Sequence, residues 1–192
     1  MELILASASP RRKELLEKIG LPFTVQPAKG EERITQKSPA AVVMELSRQK
    51  AEEIAAAQTE DCIIIGADTV VARGDKIMGK PKDAADAKQM LRSIADDCHQ
   101  VYTGVCLVKK GPEGEADTVV SFYDETDVNV SPMTEKEIRE YADSEEPMDK
   151  AGSYAVQGFF ARYIDGLKGS YANVMGLPVH LVYQELKKLG AL

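Results

Sequence analysis

The sequence of 192 residues contains no tryptophan, only two histidines and only three cysteines. Cys62, Cys98 and Cys106 form no CxxC pair and are odd in number, which is typical of reduced thiols in a cytoplasmic protein and argues against a disulfide framework. Zinc sites need several cysteine or histidine ligands, so we do not expect one here. A lone histidine in an apolar stretch is usually a packed core residue, and we expect neither His99 nor His180 to bind a metal.

Long hydrophobic runs and an excess of positive charge are also lacking. No run of about 18 apolar residues occurs, so no transmembrane helix is expected. The first basic cluster follows the first apolar run, whereas a secretory signal has its basic residues first, so no such signal is expected. The 24 basic and 31 acidic residues give a net charge of −7, which argues against a general nucleic-acid binder. The GxxxxGK[ST] and GxGxxG motifs are missing, which excludes the P-loop and Rossmann routes to nucleotide binding. These observations predict a cytoplasmic protein with neither a membrane nor a nucleic acid as partner.

The composition is that of a folded globular protein, with 44% hydrophobic and 29% charged residues. At about 150 residues per domain, the length predicts a single domain over residues 1–192, composed of two lobes. Strands and helices alternate at both ends, with a β-rich middle, so the fold class is mixed α/β. The predicted strands are Leu3–Ala6, Cys62–Ile65, Val101–Val108, Val119–Val130 and Tyr154–Val156, with a turn at Gly111–Gly114. Helices are predicted to begin at Ser9-Pro10, Ser38-Pro39, Asp83, the Thr134–Glu137 capping box and Gly176-Leu177-Pro178.

The start of the first helix carries charge of the unexpected sign. A helix N-terminus is partly positive and normally has acids in its first turn, yet Arg11, Arg12 and Lys13 occupy it here. Together with the Ser9 hydroxyl and the backbone N–H groups, two guanidinium groups would form a receptor for phosphate, and Ser7 adds a further donor. The alternative is a basic, solvated first turn.

Lys50 falls on the apolar stripe of the second predicted helix, together with Val43, Leu46 and Ile54. One interpretation is that its stem follows the apolar surface while its ammonium reaches solvent. The other is that the ammonium points into a cleft to meet a phosphate. Both remain open on the sequence alone.

Asp68 is flanked on both sides by apolar chain, at the end of the predicted strand that includes Ile65. A partly buried carboxylate needs a partner or a metal, so Asp68 is a candidate general base or Mg²⁺ ligand, with turn formation as the alternative. Glu31 and Glu32, in a polar loop over residues 26–37, are candidates to complete a metal site. Lys80-Pro81-Lys82-Asp83 and Pro147-Met148-Asp149-Lys150 are tight turns suited to positioned charges. Together these residues predict a polyphosphate bound with a divalent cation.

Five ordered segments resemble the Maf family of nucleoside triphosphate pyrophosphatases. They are LILASASPRRKELL (3–16), GADTVV (66–71), GKP (79–81), EPMDKAGSYAVQG (146–158) and VMGLP (174–178). Each match alone is weak, but the ordered set spans nearly the whole chain. The resemblance implies a two-lobed mixed-sheet α/β fold similar to that of inosine triphosphate pyrophosphatases, with the active site in the cleft between the lobes.

The resemblance also implies hydrolysis of a nucleoside triphosphate to the monophosphate and pyrophosphate, with Mg²⁺ or Mn²⁺ as cofactor. It implies that Asp68 is the catalytic base and also a metal ligand. It places Lys50, Lys80 and Lys150 at cationic positions of the family, and it implies that Lys50 and Lys80 are catalytic residues. The phosphate-binding motif matches Ser7, Arg11 and Arg12, and the metal-associated acid falls at Glu31 or Glu32.

Within the family, the specificity positions are filled by Arg12, Thr69 and Gln157, which resembles the branch of dTTP/UTP pyrophosphatases. The Gln157 amide offers a donor and an acceptor to a pyrimidine edge. This branch implies house-cleaning of nucleotide pools, including modified pyrimidine nucleotides, and leaves a homodimer open. The alternatives are specificity for 7-methyl-GTP and a non-catalytic, nucleotide-binding regulator of cell division.

Overall fold

A computed structural model describes residues 1–59, 61–111 and 117–192. The strands within these residues are β1 (Glu2–Leu5), β2 (Thr24–Val25), β3 (Cys62–Arg73), β4 (Lys76–Met78), β5 (Asp97–Lys109), β6 (Thr118–Val130) and β7 (Ile164–Lys168). The helices are α1 (Pro10–Lys18), α2 (Pro39–Ala56), α3 (Ala84–Ile94), α4 (Glu135–Ala142), α5 (Tyr171–Met175) and α6 (Val179–Lys188). Short 3₁₀ turns occupy Glu146–Asp149, Ala151–Ser153 and Phe159–Tyr163. None of the described helices is long and apolar enough to span a membrane.

The strands form one mixed sheet in the order β2-β1-β3-β5-β6-β7, with β4 paired to the end of β3. β1 runs parallel to both β2 and β3, with Ile4 opposite Ile64. The β3–β4 and β6–β7 pairs are antiparallel, with Val71 opposite Met78 and Val128 opposite Leu167. The predicted mixed α/β fold class is therefore confirmed.

The chain divides into two compact units, each with its own core. Unit 1 comprises Met1–Asp68, Thr103–Asp124 and Gly176–Leu192, and unit 2 comprises Thr69–Tyr102 and Glu125–Met175. A core cluster of unit 1 includes Ile4, Ala51, Ile54, Ile64 and Cys106. The core cluster of unit 2 includes Leu91, Ile94, Val128, Tyr141 and Phe160. The single domain over residues 1–192 stays a prediction.

Local sequence signals predicted most helix starts correctly. Pro10 and Pro39 open α1 and α2, the Asp83 side chain caps α3, and Thr134 and Glu137 form the expected capping box of α4. Ser9 stands at the N-cap position of α1, although its side chain makes no capping hydrogen bond. These signals are reliable because they depend on a few neighbouring backbone groups.

Three expectations need correction or lie outside what is described. The strand predicted to end at Ile65 continues to Arg73, so Asp68 lies within β3 and not at a strand end or in a turn. The strand predicted at Tyr154–Val156 is absent, because the left-handed backbone of Gly152 and Ser153 turns the chain just before it. The turn predicted at Gly111–Gly114 falls largely on residues outside the described ranges.

Two glycines allow α2 to lie unusually close to the sheet. A Cβ atom on Gly66 of β3 would lie 2.2 Å from the carbonyl oxygen of Ser47, and one on Gly104 of β5 would lie 2.3 Å from that of Val43. Distances this short cannot be tolerated by real side chains, so glycine is needed at both positions. The close approach places the middle of α2 over the segment of β3 that carries Asp68.

His99 is fully buried in unit 2, as expected for a core residue. Its Nε2 lies 2.7 Å from the hydroxyl oxygen of Tyr154, and its Nδ1 has no hydrogen-bond partner within the described residues. Burial lowers the pKa of His99 from 6.5 to about 4, with Asp97 opposing the shift. His99 is therefore neutral in the folded protein at neutral pH.

The neutral state of His99 predicts a loss of stability in mild acid. Between about pH 6.5 and pH 4 the unfolded chain binds a proton at His99 that the folded protein does not, so stability falls as the pH falls through this window. We expect this one group to lower the free energy of unfolding by about 2 kcal/mol between pH 8 and pH 5. Urea unfolding at both pH values measures the difference. His99→Gln should reduce the difference by that amount, whereas substituting the exposed His180 should not; equal pH dependence in all three proteins would contradict the prediction.

Candidate active site

Lys50 joins two carboxylates at the centre of the candidate site. Its Nζ donates to Oδ1 of Asp68 at 2.5 Å and lies 2.9 Å from Oε1 of Glu32. The Lys50 and Asp68 side chains are only 19% and 15% exposed, whereas that of Glu32 is 50% exposed. The structure thus brings together three of the residues predicted from the sequence, and Lys50 is directed inward to this cluster and not out to solvent.

The fold explains why these side chains meet. Ser47 packs against Gly66, and Lys50 lies about one helical turn beyond Ser47, just as Asp68 lies two residues beyond Gly66 on the same face of β3. This spacing places the ammonium of Lys50 beside the carboxylate of Asp68. Glu31 is exposed, and among the described residues only Glu32 of this acidic pair forms an ion pair with Lys50.

A second group of predicted residues surrounds the start of α1. Ser7 is buried, and its Oγ accepts hydrogen bonds from Nη1 of Arg12 at 3.1 Å and from the backbone N–H of Ser9 at 3.2 Å. Nε of Arg12 donates to the carbonyl oxygen of Gly176 at 2.8 Å. These bonds hold the Arg12 guanidinium in one orientation at the partly positive end of the helix.

Arg12 at the start of α1 interacts electrostatically with the carboxylates of the Lys50 cluster. Burial lowers the pKa of Arg12, and Arg11 acts in the same direction, while the carboxylates of Asp68 and Glu32 oppose the shift. Arginine remains charged under such influences. Arg11 is half-buried, and no carboxylate in the described ranges forms an ion pair with it. Two guanidinium groups, Ser7 and the first-turn N–H groups of α1 are therefore suited to bind an anion.

Unit 2 contains the remaining predicted cations. Lys80 follows β4 and is exposed, whereas the Lys150 side chain is 15% exposed and donates to Oδ1 of Asp149 at 2.5 Å and to the carbonyl oxygen of Glu146 at 3.2 Å. The two lysine-bearing segments are linked, because the N–H of Gly152 donates to the carbonyl oxygen of Gly79 at 3.1 Å.

The predicted specificity residue Gln157 is exposed in the turn that precedes the last 3₁₀ segment. The other specificity residue in unit 2, Thr69, is half-buried within β3. The carboxylate of Glu146 holds the chain just after Gln157, since it accepts from the N–H groups of Phe159 at 2.9 Å and Phe160 at 3.4 Å. Sequence reasoning missed Glu146, although it opens the EPMDK segment.

The donor set at the first cluster is compatible with a hard divalent cation. Carboxylate oxygens of Asp68 and Glu32 already converge on one positive atom, the Nζ of Lys50. Over the described part of the chain, no group of three or more acidic, cysteine or histidine side chains could hold a metal. Mg²⁺ is commonly held by one or two carboxylates plus phosphate oxygens of a substrate, and this donor set fits that mode of binding.

Comparison with known proteins gives close sequence relatives. The chain matches the family described as Maf-like protein over residues 2–189. The dTTP/UTP pyrophosphatase of Agathobacter rectalis is 54% identical over 204 residues, covering 98% of each chain. The dTTP/UTP pyrophosphatase of Lachnoclostridium phytofermentans is 46% identical over 189 residues, covering 98% of this chain and 95% of the relative. The solved structure of a dITP/XTP pyrophosphatase from Mycobacterium abscessus covers 100% of this chain and 98% of that chain, at 17% identity and a TM-score of 0.40.

The fold and the candidate site define a mixed α/β protein in which the arginine-bearing start of α1 lies within electrostatic range of two carboxylates bridged by a lysine. The chain belongs to the Maf-like protein family, because the family match spans almost all of its length and the relatives are similar over nearly their full lengths.

Proposed function

We propose that this protein hydrolyses dTTP and UTP to the nucleoside monophosphate and pyrophosphate, and that it acts on modified pyrimidine nucleotides as well. The observation that carries the proposal is the Glu32–Lys50–Asp68 cluster, which lies within electrostatic reach of Arg12 at the start of α1. Close relatives named dTTP/UTP pyrophosphatase support this choice of substrate over 7-methyl-GTP and over a purely regulatory role.

The start of α1 binds the phosphates in this proposal. Arg11 and Arg12 supply guanidinium donors, Ser7 orients Arg12 through its 3.1 Å hydrogen bond, and the helix N-terminus adds partial positive charge. Lys50 contributes a further cation when its ammonium turns from the carboxylates to a phosphate oxygen. These groups balance the charge that develops on the oxygens as the α–β anhydride bond breaks.

Asp68 acts as the general base. Its carboxylate accepts a proton from a water molecule whose oxygen forms a bond to the α-phosphorus, and the P–O bond to the β-phosphate breaks to release pyrophosphate. Asp68 and Glu32 would hold Mg²⁺ or Mn²⁺, with Glu31 as a further candidate ligand. A divalent cation bound there supplies charge neutralisation on the phosphates.

The proposal also assigns substrate-binding roles to residues of unit 2. Lys80 and Lys150 provide additional cations for the phosphates, and Lys80 acts as a catalytic residue. Gln157 pairs with the pyrimidine edge through its amide, and Thr69 and Arg12 complete the specificity set. The bonds from Glu146 to the chain after Gln157 support this role, because they restrict the backbone that carries the amide.

The cellular setting is also part of the proposal. We assign the reaction to house-cleaning of nucleotide pools in the cytoplasm, where the three free cysteines would stay reduced. A homodimer stays a prediction from the family resemblance, to be checked by sedimentation.

Pyrophosphate release tests the function directly. The purified protein is incubated with dTTP, UTP, CTP and 7-methyl-GTP, each with Mg²⁺, with Mn²⁺ and with a chelator. We expect metal-dependent release from dTTP and UTP at rates well above those for the other two. Preferred hydrolysis of 7-methyl-GTP would contradict the assigned specificity, and nucleotide binding without release would contradict the enzymatic function.

A further inference from the structure

The loop that carries Glu31 and Glu32 is held by one face of α2. Residues 29–36 are exposed and adopt neither helix nor strand. Their backbone groups nevertheless have regular hydrogen-bond partners, and these are side chains of Glu45, Gln49 and Glu53. The three side chains are spaced four residues apart, so they form a single stripe along the helix.

Glu53 holds the first end of the segment. Its Oε1 accepts from the N–H of Lys29 at 2.8 Å, and its Oε2 accepts from the N–H of Gly30 at 3.0 Å. A Cβ atom on Gly30 would lie 2.7 Å from Oε2, so glycine permits this close approach. The two N–H donors lower the pKa of Glu53, which keeps the carboxylate ionised and the hydrogen bonds charge-assisted.

Gln49 and Glu45 hold the rest of the segment. The Gln49 amide pairs with both backbone groups of Arg33, accepting from its N–H at 3.0 Å and donating to its carbonyl oxygen at 2.6 Å. Glu45 accepts from the N–H and hydroxyl of Thr35 at 2.9 and 2.5 Å, and from the N–H of Gln36 at 3.3 Å. The segment therefore runs antiparallel to α2, attached at three successive points.

This attachment fixes the position of Glu32. Glu31 and Glu32 lie between the Glu53 and Gln49 attachment points, and Gln49 is the neighbour of Lys50, which pairs with Glu32 at 2.9 Å. An exposed carboxylate on an irregular loop would otherwise sample many positions, and a metal ligand is useful only when it is already in place.

We infer that Glu45, Gln49 and Glu53 are positioning residues, which hold the 29–36 backbone along α2 so that Glu32 is prearranged as a ligand for the divalent cation. The inference rests on the proposed function, because that function requires the cation. None of the three side chains binds the cation itself. Their effect on metal affinity passes entirely through the backbone on either side of Glu32.

The test measures metal binding separately from turnover. Mn²⁺ binding is followed by electron paramagnetic resonance of the free ion, in the presence of a dUTP analogue with a methylene group between the α- and β-phosphorus atoms. Gln49→Ala and Glu53→Ala should each raise the Mn²⁺ dissociation constant about ten-fold, the size of effect seen when supporting contacts of metal ligands are removed. Backbone amide hydrogen exchange within the 29–36 segment of the protein should become faster in both variants.

Matched variants separate positioning from charge and from general stability. Glu52→Ala removes the same charge from the adjacent residue, whose carboxylate pairs with Arg48 at 2.6 Å, so it should leave the dissociation constant within about two-fold. Glu53→Gln keeps one accepting oxygen and should recover part of the affinity. Faster exchange in the 29–36 segment with an unchanged Mn²⁺ dissociation constant would overturn the inference, as would an equal loss in Glu52→Ala.

The same experiment distinguishes failure of the inference from failure of the proposed function. Turnover of dTTP and UTP by the unmodified protein tests the function alone. If turnover occurs with Mn²⁺ but the variants bind the ion normally, the function stands and the positioning role is wrong. If the unmodified protein hydrolyses neither nucleotide but the variants lose Mn²⁺ affinity as described, the positioning role stands and the proposed reaction is wrong.

Discussion

Asp68→Asn is expected to lower turnover of dTTP and UTP by about a thousand-fold, because the amide can neither accept the proton from water nor supply a charged ligand. The amide has nearly the same shape as the carboxylate and retains an oxygen that can accept from Lys50, whose Nζ lies 2.5 Å from Oδ1. The dissociation constant for the nucleotide should therefore change by no more than about three-fold. Pyrophosphate release measures turnover, and titration calorimetry with the methylene analogue measures affinity.

The control for Asp68→Asn is a substitution in the turn that joins β3 to β4. Asp75 is exposed in the turn between β3 and β4, and Asp75→Asn makes the same chemical change away from the cluster. It should leave turnover within about two-fold of the unmodified protein. An Asp68→Asn variant that retains a comparable rate would show that another group takes the proton.

Lys50→Met should have the second-largest effect, a loss of about a hundred-fold in kcat/KM. The substitution keeps the apolar stem along α2 and removes the ammonium that joins Asp68 to Glu32. Two carboxylates are then left without their shared cation, and the phosphates lose one of their positive partners. Lys50→Arg restores the charge with a different geometry and should recover part of the loss.

Stability must be measured alongside the kinetics of Lys50→Met. Removing the cation from the half-buried Asp68 carboxylate also lowers the free energy of unfolding, so the assay must be run well below the unfolding temperature of the variant. Lys136→Met serves as the control, because Lys136 belongs to an exposed pair with Glu140 on α4. A folded Lys50→Met protein with kcat/KM within about five-fold of the original would contradict the role of Lys50.

Several features of this protein follow from short stretches of sequence. The starts of α1 and α2 were predicted because a proline has the backbone angle of a first helical residue and no N–H to leave unpaired. The starts of α3 and α4 were predicted because a capping side chain accepts from an N–H three residues away. Helical periodicity placed Lys50 on the apolar stripe of α2, but it left open whether the ammonium reached solvent or entered a cleft. The loop over 26–37 was predicted because most of its residues are polar.

Other features could not be predicted locally. Asp68 was expected at a strand end or in a turn, because the predicted strand ended at Ile65. A carboxylate inside a strand is costly without a partner. Its partner, Lys50, lies 18 residues away on α2 and reaches it only because Gly66 and Gly104 let that helix approach the sheet. The left-handed backbone of Ser153, which prevents the predicted strand at Tyr154–Val156, likewise has no local sequence signal.

The sequence by itself therefore determined the residue types of the candidate site and the elements that carry most of them. Caps, periodicity and family motifs are properties of neighbouring residues, so they can be read without a fold. Only the tertiary structure decided that Lys50 meets carboxylates, that Glu32 and not Glu31 is the acid paired with it, and that Glu45, Gln49 and Glu53 hold the loop. Those contacts join segments distant in sequence, and their geometry depends on how closely α2 packs against the sheet.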